Sequence, residues 1–193
     1  MVEALPRQAQ SKLRAFEELL RDTAVPLGLV SQDDSSQLWE RNILDCVRGA
    51  ACVPPGHGQV IDLGSGAGLP GIPVAICCPD RPFVLLEPRS RRVGFLELAV
   101  ERLALENVTV LLVRAEEAGI RGEACLARAF GPPLATWLAA DRLVQARGEL
   151  VYWAGRSWAR RPLGGLDSLG VRRRICAEPL FSWQGPLVIM KRT

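Results

Sequence analysis

The segment that most restricts what this chain can become lies at residues 60–71, Val-Ile-Asp-Leu-Gly-Ser-Gly-Ala-Gly-Leu-Pro-Gly. A short apolar run, 59–63, reads as a strand. It ends in a turn holding Gly64, Gly66 and Gly68, and Pro70 then suits the first turn of a helix. Glycines at such a turn let the backbone bend sharply and approach a ligand with no Cβ in the way. In open α/β sheets ligands bind beyond the carboxyl ends of the strands, where this turn would sit.

The rest of the chain keeps the same grammar. Apolar runs at 83–86, 108–113, 124–127 and 149–153 read as strands. Helical patterns at 70–78, 89–105 (Phe95, Leu98 and Leu105 inward) and 132–146 (Leu134, Leu138 and Val144 inward) alternate with them. Runs at 171–176 and 186–190 complete a sheet, and 164–170 reads as an exposed loop. Strand and helix in alternation predict an α/β fold with a doubly wound, mostly parallel sheet. Ahead of it, residues 6–21 form an amphipathic pattern with Leu13, Phe16 and Leu20 on one side. After a break at 26–28, Ser31-Gln32-Asp33-Asp34 resembles a capping box for a second helix, with Trp39, Ile43, Val47 and Ala50 on its apolar face. The expectation is a single domain over 1–193, with 1–53 a helical extension packed on the core.

Hydrophobic residues make up 48% of the chain, too many for a disordered protein. No apolar run approaches the roughly 18 residues a membrane span needs, and the polar N-terminus is unlike a signal peptide. A cytoplasmic protein with no membrane partner is expected. The six cysteines show no zinc spacing, so no metal is expected and reduced thiols are the plain reading. Charge is uneven. Residues 1–120 hold 12 Lys+Arg and 16 Asp+Glu, whereas 121–193 hold 12 and 5. The basic part is nearly all arginine, which pairs with phosphate in a bidentate fork and stacks on bases. An RNA-facing surface using Arg156, Arg160-Arg161 and Arg172-Arg173-Arg174 is therefore expected, competing with a merely solvated arginine-rich surface.

Which ligand the glycine turn holds is less determined. Gly66-Ala67-Gly68-Leu69-Pro70-Gly71 is a G-x-G-x-x-G, by itself a weak dinucleotide signal. The wider frame from Asp62, D-x-G-x-G-x-G, is similar to that of class I S-adenosylmethionine methyltransferases. Glu87 ends the second strand, where a carboxylate can accept ribose hydroxyls from either cofactor. Asp62 can hold turn amides or a ligand ammonium group. Arg114-Ala115-Glu116 follow the third strand and Arg128 the fourth, so all stand on the same edge of the sheet. His57 lies in the chain break at 54–58 and reads as a loop residue. Gly131-Pro132-Pro133-Leu134 lacks the Asn or Asp of amine-methylating loops and reads as a helix start. No Pro-Cys follows the fourth strand, which argues against covalent pyrimidine chemistry.

Residues 62–73, Asp-Leu-Gly-Ser-Gly-Ala-Gly-Leu-Pro-Gly-Ile-Pro, resemble the glycine motif of the glucose-inhibited division protein B family, the bacterial 16S ribosomal RNA guanine-N7 methyltransferases. Further blocks match in order: 38–46, Leu86-Glu87-Pro88 with Arg91-Arg92 and Phe95-Leu96, 114–117, 127–129 and 187–191. The resemblance implies S-adenosylmethionine as cofactor and 16S rRNA or the small ribosomal subunit as partner, with a monomer expected. It puts Gly64, Leu69, Ala115, Glu116 and Arg128 on cofactor-contact positions; the glycine turn and the end of the second strand add Gly66, Gly68 and Glu87. The chain departs from the family where Asn42 replaces a usual His, at 28–30 where Asn-Leu-Thr is expected, and where Ala154-Gly155 replaces Lys-Gly. Guanine N7 carries a lone pair and no proton, so the implied reaction requires no general base and no catalytic acid or base is assigned. A methyltransferase with another substrate, or a cofactor-binding relative without catalysis, fits the same residues.

Overall fold

The computed structural model describes residues 2–158 and 164–193. Its centre is a seven-stranded sheet: β1 (Val60–Leu63), β2 (Phe83–Leu86), β3 (Val108–Leu111), β4 (Gly122–Arg128), β5 (Val144–Trp153), β6 (Val171–Ala177) and β7 (Leu187–Arg192). The order across the sheet is β3-β2-β1-β4-β5-β7-β6. β3 to β5 run parallel, and β7 pairs antiparallel with both β5 and β6.

β1 and β2 are buried along their whole length, as central parallel strands covered on both faces must be. Alternate residues feed two separate cores. Val60, Leu85, Leu126 and Val151 face α1 (Arg7–Leu19), α3 (Gly71–Cys77) and α4 (Ser90–Arg102). Ile61, Leu86, Cys125 and Tyr152 face α5 (Pro133–Asp141). Leu13, Phe16 and Leu20 are fully buried in the first core, as their spacing predicts, so the N-terminal helix shares the hydrophobic interior of the sheet. α1 continues through a π-helical turn at Leu20–Ala24, and Gly28 then reverses the chain at φ +67°.

The second helical stretch is irregular. A 3-10 segment (Gln32–Gln37) leads into a π turn (Trp39–Leu44), α2 (Asp45–Val47) and a further 3-10 turn (Arg48–Cys52). Ile43 and Val47 are buried as expected, but so are the polar residues Asn42, Asp45 and Arg48. This stretch is therefore covered on two sides, by apolar core and by a polar cavity. π turns within helices frequently occur at functional sites.

Several expectations are corrected. The helix expected over 132–146 stops at Asp141, and Val144–Trp153 is a ten-residue strand. Leu143 turns back onto Ala140, its carbonyl accepts from Gly122 N–H, and Val144 pairs with Gly122 ahead of a register break in which five residues of β5 span two of β4. Leu134 and Leu138 lie outward, 39% and 49% exposed, because α5 turns Trp137 and Ala140 to the sheet. On α4 the inward positions are Val93, Leu96 and Ala99 beside Phe95, while Leu98 is half-buried. The loop expected at 164–170 contains a short helix, α6 (Gly164–Ser168), pinned by buried Leu166. The cysteines are not all free thiols: Cys52 and Cys176 form a disulfide with Cα atoms 5.9 Å apart. The pair is 124 residues apart in sequence, so no spacing signature marks it; contact between residues 48–52 and β6 brings it together. No helix among the described residues is long and apolar enough to cross a membrane.

The helical stretch meets the sheet at Gly49, where an added Cβ would land on the buried Trp153 indole. Gly49→Ala is expected to lower stability by roughly 1–3 kcal/mol through overpacking. The measurement is the urea midpoint at unchanged slope; an unshifted midpoint would contradict this packing.

Candidate functional site

A cavity of about 980 Å³ opens at the carboxyl ends of β1, β4 and β5. Its floor is the glycine turn, its back wall comes from the residues after β4 and β5, and residues 41–48 and 183–185 close the far side.

Gly64, Gly66 and Gly68 have φ of +64°, +60° and +82°, so the turn needs residues at ease in the left-handed region. Phe130 covers Gly64, where an added Cβ would come within 2.9 Å of its ring. Above Gly66 the nearest atom stands 3.9 Å from such a Cβ, so the backbone there is bare to the cavity. Beneath the turn, Glu87 is almost wholly buried. One oxygen accepts Gly66 N–H at 3.0 Å, the other accepts Arg89 N–H at 3.0 Å, and Arg92 stands 3.6 Å away. Glu87 thus fixes the turn from below.

Asp62 does the same at the start of α3. Its Oδ2 accepts Gly71 N–H at 3.1 Å, and it is fully buried. Of the two roles open to it, holding turn amides is the one observed. Burial pushes its carboxyl up to about 7, against the opposing pull of the nearby Ser65 hydroxyl and the Gly71 amide. Its Oδ1 has no hydrogen-bond partner among the described residues.

The far wall is built around Asp45. One oxygen accepts Arg48 Nη2 at 2.7 Å, and the other faces Arg128 Nε at 3.3 Å. Arg128 also donates to the Arg41 carbonyl and to Asn42 Oδ1, both at 3.0 Å. Arg48 reaches across to the carbonyls of Glu178 and Gly185, at 3.0 and 3.1 Å. Trp153 Nε1 donates to the Asp45 carbonyl at 3.0 Å. Directly after Arg128, Ala129 takes φ +55°, a rare value for a residue with a Cβ and a mark of a constrained site. Three buried donors in this wall, Asn42 Nδ2, Arg48 Nε and Gln184 Nε2, have no partner among the described residues.

Of the residues expected to form the site, Gly64, Gly66, Leu69 and Arg128 line this cavity. Gly68 is turned into the core against Ile72 and Leu96. Glu87 lies beneath the floor. Ala115 is buried and Glu116 exposed just beyond β3, on the same edge of the sheet but outside the cavity lining. Of the arginines expected to face phosphate, Arg156 is at the rim. Arg173 pairs with Asp167, and Arg172 sits opposite Lys191 towards the other end of the sheet. Arg160 and Arg161 lie outside the described residues. Sequence reasoning missed Arg41, Asp45, Arg48, Trp183 and Gln184 as lining residues. The spacing 41, 45, 48 was a usable signal, one polar face on a helix. Trp183 and Gln184 sit in an irregular loop with no periodic signal.

Comparison with known proteins is consistent along most of the chain. The family model described as rRNA small subunit methyltransferase G matches residues 9–161. A protein of Thermobifida fusca, ribosomal RNA small subunit methyltransferase G, is 46% identical over 119 residues, which is 61% of this chain and 50% of that one. The protein of that name from Streptomyces avermitilis is 44% identical over 147 residues, 72% of this chain and 60% of the relative. The chain therefore spans about half to three fifths of the length of these relatives. Among solved structures, a ribosomal protein L11 methylase from Lactobacillus delbrueckii subsp. bulgaricus superposes with a TM-score of 0.61 at 10% identity, covering 77% of each chain. TYW2 of M. jannaschii, in complex with AdoMet, gives 0.58 at 14% identity, covering 83% of this chain and 81% of that one. At these identities the likeness speaks to the fold.

Because burial raises the Asp62 carboxyl, its contribution to stability is fully present below the unfolded value of 3.8 and is lost as pH rises through about 7. Asp62→Asn keeps an acceptor for Gly71 and removes the charge. The melting temperature of the variant relative to the parent is expected to climb between pH 4 and 8, by an amount worth on the order of a few kcal/mol. A difference that stays flat across that range would show that Asp62 does not titrate there.

Proposed function

The chain belongs to the rRNA small subunit methyltransferase G family, and from that membership we propose that it transfers a methyl group from S-adenosylmethionine to N7 of a guanine in 16S ribosomal RNA. The observation that carries the reading is the cavity itself. Its floor is bare glycine backbone at Gly66, and among the described residues its walls set five arginines, Arg41, Arg48, Arg92, Arg128 and Arg156, against one lining carboxylate, Asp45. That is a surface for a polyanion beside a cradle for a small ligand.

The residues present fit the cofactor. Gly64, Gly66 and Leu69 would form its cradle, with Gly68, turned into the core, setting the bend beneath them. Glu87 spends one lone pair of each oxygen on the Gly66 and Arg89 amides, and a carboxylate has further lone pairs to accept ribose hydroxyls. Ala115 and Glu116, at the end of β3 beyond the cavity lining, would hold the adenine. Arg128, already oriented by Asn42 and Asp45, offers a guanidinium to a carboxylate. When bound, S-adenosylmethionine supplies an electrophilic methyl group on a sulfonium. Guanine N7 has an in-plane lone pair and no proton to lose, so the protein needs no general base. The one carboxylate lining the cavity is already shared by two arginines. The contribution of the protein is then alignment and an electrostatic setting. N7 lies in the deep groove of A-form RNA, so the target base must be unpaired or turned out to reach the cavity.

The test is methyl transfer from radiolabelled S-adenosylmethionine to small ribosomal subunits and their RNA, with the modified base mapped. Label on a guanine N7 in 16S rRNA is expected. Label only on a protein or small molecule would move the reading to another methyltransferase, and tight cofactor binding with no transfer would move it to a non-catalytic relative. Gly66→Ala places a Cβ in the cradle at φ +60° and is expected to weaken cofactor binding by about tenfold, roughly 1.4 kcal/mol, while the thermal melt stays cooperative. Unchanged affinity by calorimetry would mean that the cofactor does not lie on this turn.

A further inference from the structure

Two features of the far wall are not used by cofactor binding. The first is an aromatic platform. Phe181 and Trp183 stack with ring centroids 5.5 Å apart and planes 7° from parallel, and the Arg41 guanidinium stands 5.9 Å from the Trp183 ring. Phe181 is exposed, while Trp183 is half-buried and lines the cavity. The second is a set of buried donors with no acceptor among the described residues. Arg128 donates to Asn42 Oδ1, which leaves Asn42 Nδ2 as the free end of that amide. Gln184 Oε1 accepts Leu180 N–H at 2.8 Å, which leaves Gln184 Nε2. Both side chains are at least nine-tenths buried, and both line the same cavity as Trp183. Arg48 Nε, also unpartnered, lies in the same wall. Buried donors without acceptors are uncommon in folded proteins and point to a missing partner.

We propose that this wall is the subsite for the target base: Trp183, backed by Phe181, stacks on an unpaired purine, and Asn42 Nδ2 and Gln184 Nε2 donate to its O6 edge. The inference rests on the proposed RNA methyl transfer and adds which residues select the base. Base–aromatic stacking is tolerant of sequence, so stacking supplies affinity rather than choice. Choice comes from the donors. The major-groove edge of guanine presents two acceptors, O6 and N7, whereas adenine presents a donor amine at the corresponding position. A wall with donors left over and its carboxylate already engaged by Arg48 and Arg128 accepts the first edge and leaves the second with an unpaired amine. Inosine keeps O6 and N7 and is equivalent to guanine for this wall.

The test uses short single-stranded RNA oligonucleotides, each with one guanine, inosine or adenine in an otherwise uniform pyrimidine context. Binding is read by anisotropy of an end label and by quenching of tryptophan fluorescence, with methyl transfer to 16S rRNA measured in parallel. Guanine and inosine oligonucleotides are expected to bind alike and about tenfold tighter than adenine. Trp183→Ala is expected to weaken guanine binding about tenfold and to raise KM for RNA, with S-adenosylmethionine affinity unchanged by calorimetry. Trp183→Phe keeps the affinity but loses the quenching, the signature of stacking on that ring. Gln184→Glu retains the acceptor for Leu180 and is expected to erase the preference for guanine over adenine. Methyl transfer by the parent with Trp183→Ala indistinguishable from it would overturn the subsite and leave the enzyme reading intact. Guanine-selective binding lost in Trp183→Ala, with no methyl transfer by the parent, would uphold the subsite and overturn the enzyme reading. Equal binding of all three bases by the parent would overturn the donor assignment.

Discussion

Asp45 is the point on which the cavity hangs. Its carboxylate is shared between Arg48, from the same helical stretch, and Arg128, from the end of β4, while its carbonyl holds the Trp153 indole at the end of β5. Through Arg48 the network continues to the carbonyls of Glu178 and Gly185, between β6 and β7. The helical stretch and the β6–β7 connection are thereby fixed relative to two strands through Asp45 and its partner Arg48. A buried carboxylate bridging two guanidiniums is tolerable because each arginine has the carboxylate beside it and also donates to carbonyls through its Nη groups. Removing it would leave two arginines in a poorly hydrated wall with no counter-charge between them.

The sheet was largely legible in the sequence because parallel central strands are short, apolar throughout and spaced by helices. β2 falls at 83–86 as read, and the glycine turn announces β1 and α3 together. Legibility failed where a periodic pattern was ambiguous. Leu134 and Leu138 suggested an inner helical face, but Trp137, one residue short of Leu138, presents more apolar surface to the sheet. Residues 144–146 looked helical because nothing local distinguishes them from the helix before; the pairing of Val144 with Gly122 is a long-range fact. Half of the site was legible for the same reason as the sheet. Gly64, Gly66, Leu69 and Arg128 sit at strand ends, and strand ends can be counted. The other half comes from an irregular helix and a loop, whose polar residues carry no period that distinguishes them from ordinary surface.

The uneven charge of the chain takes on a different meaning in three dimensions. An excess of arginine in the C-terminal part suggested that the basic surface would be made there. In the folded protein, three of the five arginines at the cavity, Arg41, Arg48 and Arg92, come from the acidic N-terminal part. Arg173 and Arg192, from the basic part, are paired with Asp167 and Asp141. Regional charge counts miss this because the fold gathers strand and helix ends from distant positions in the sequence.

The direction of β7 has its own consequence. It runs against β5, with Leu187 beside Trp153, so the connection from β6 emerges at the carboxyl end of β5 rather than at the opposite edge. One reversed strand therefore delivers Trp183, Gln184 and Gly185 to the same rim as the glycine turn, although more than a hundred residues separate them. The two halves of the cavity are in this sense modular. One belongs to the parallel strands and cannot change without disturbing the sheet. The other is carried on a hairpin connection whose length and side chains can drift, giving evolution a place to retune what enters the cavity while the floor stays as it is.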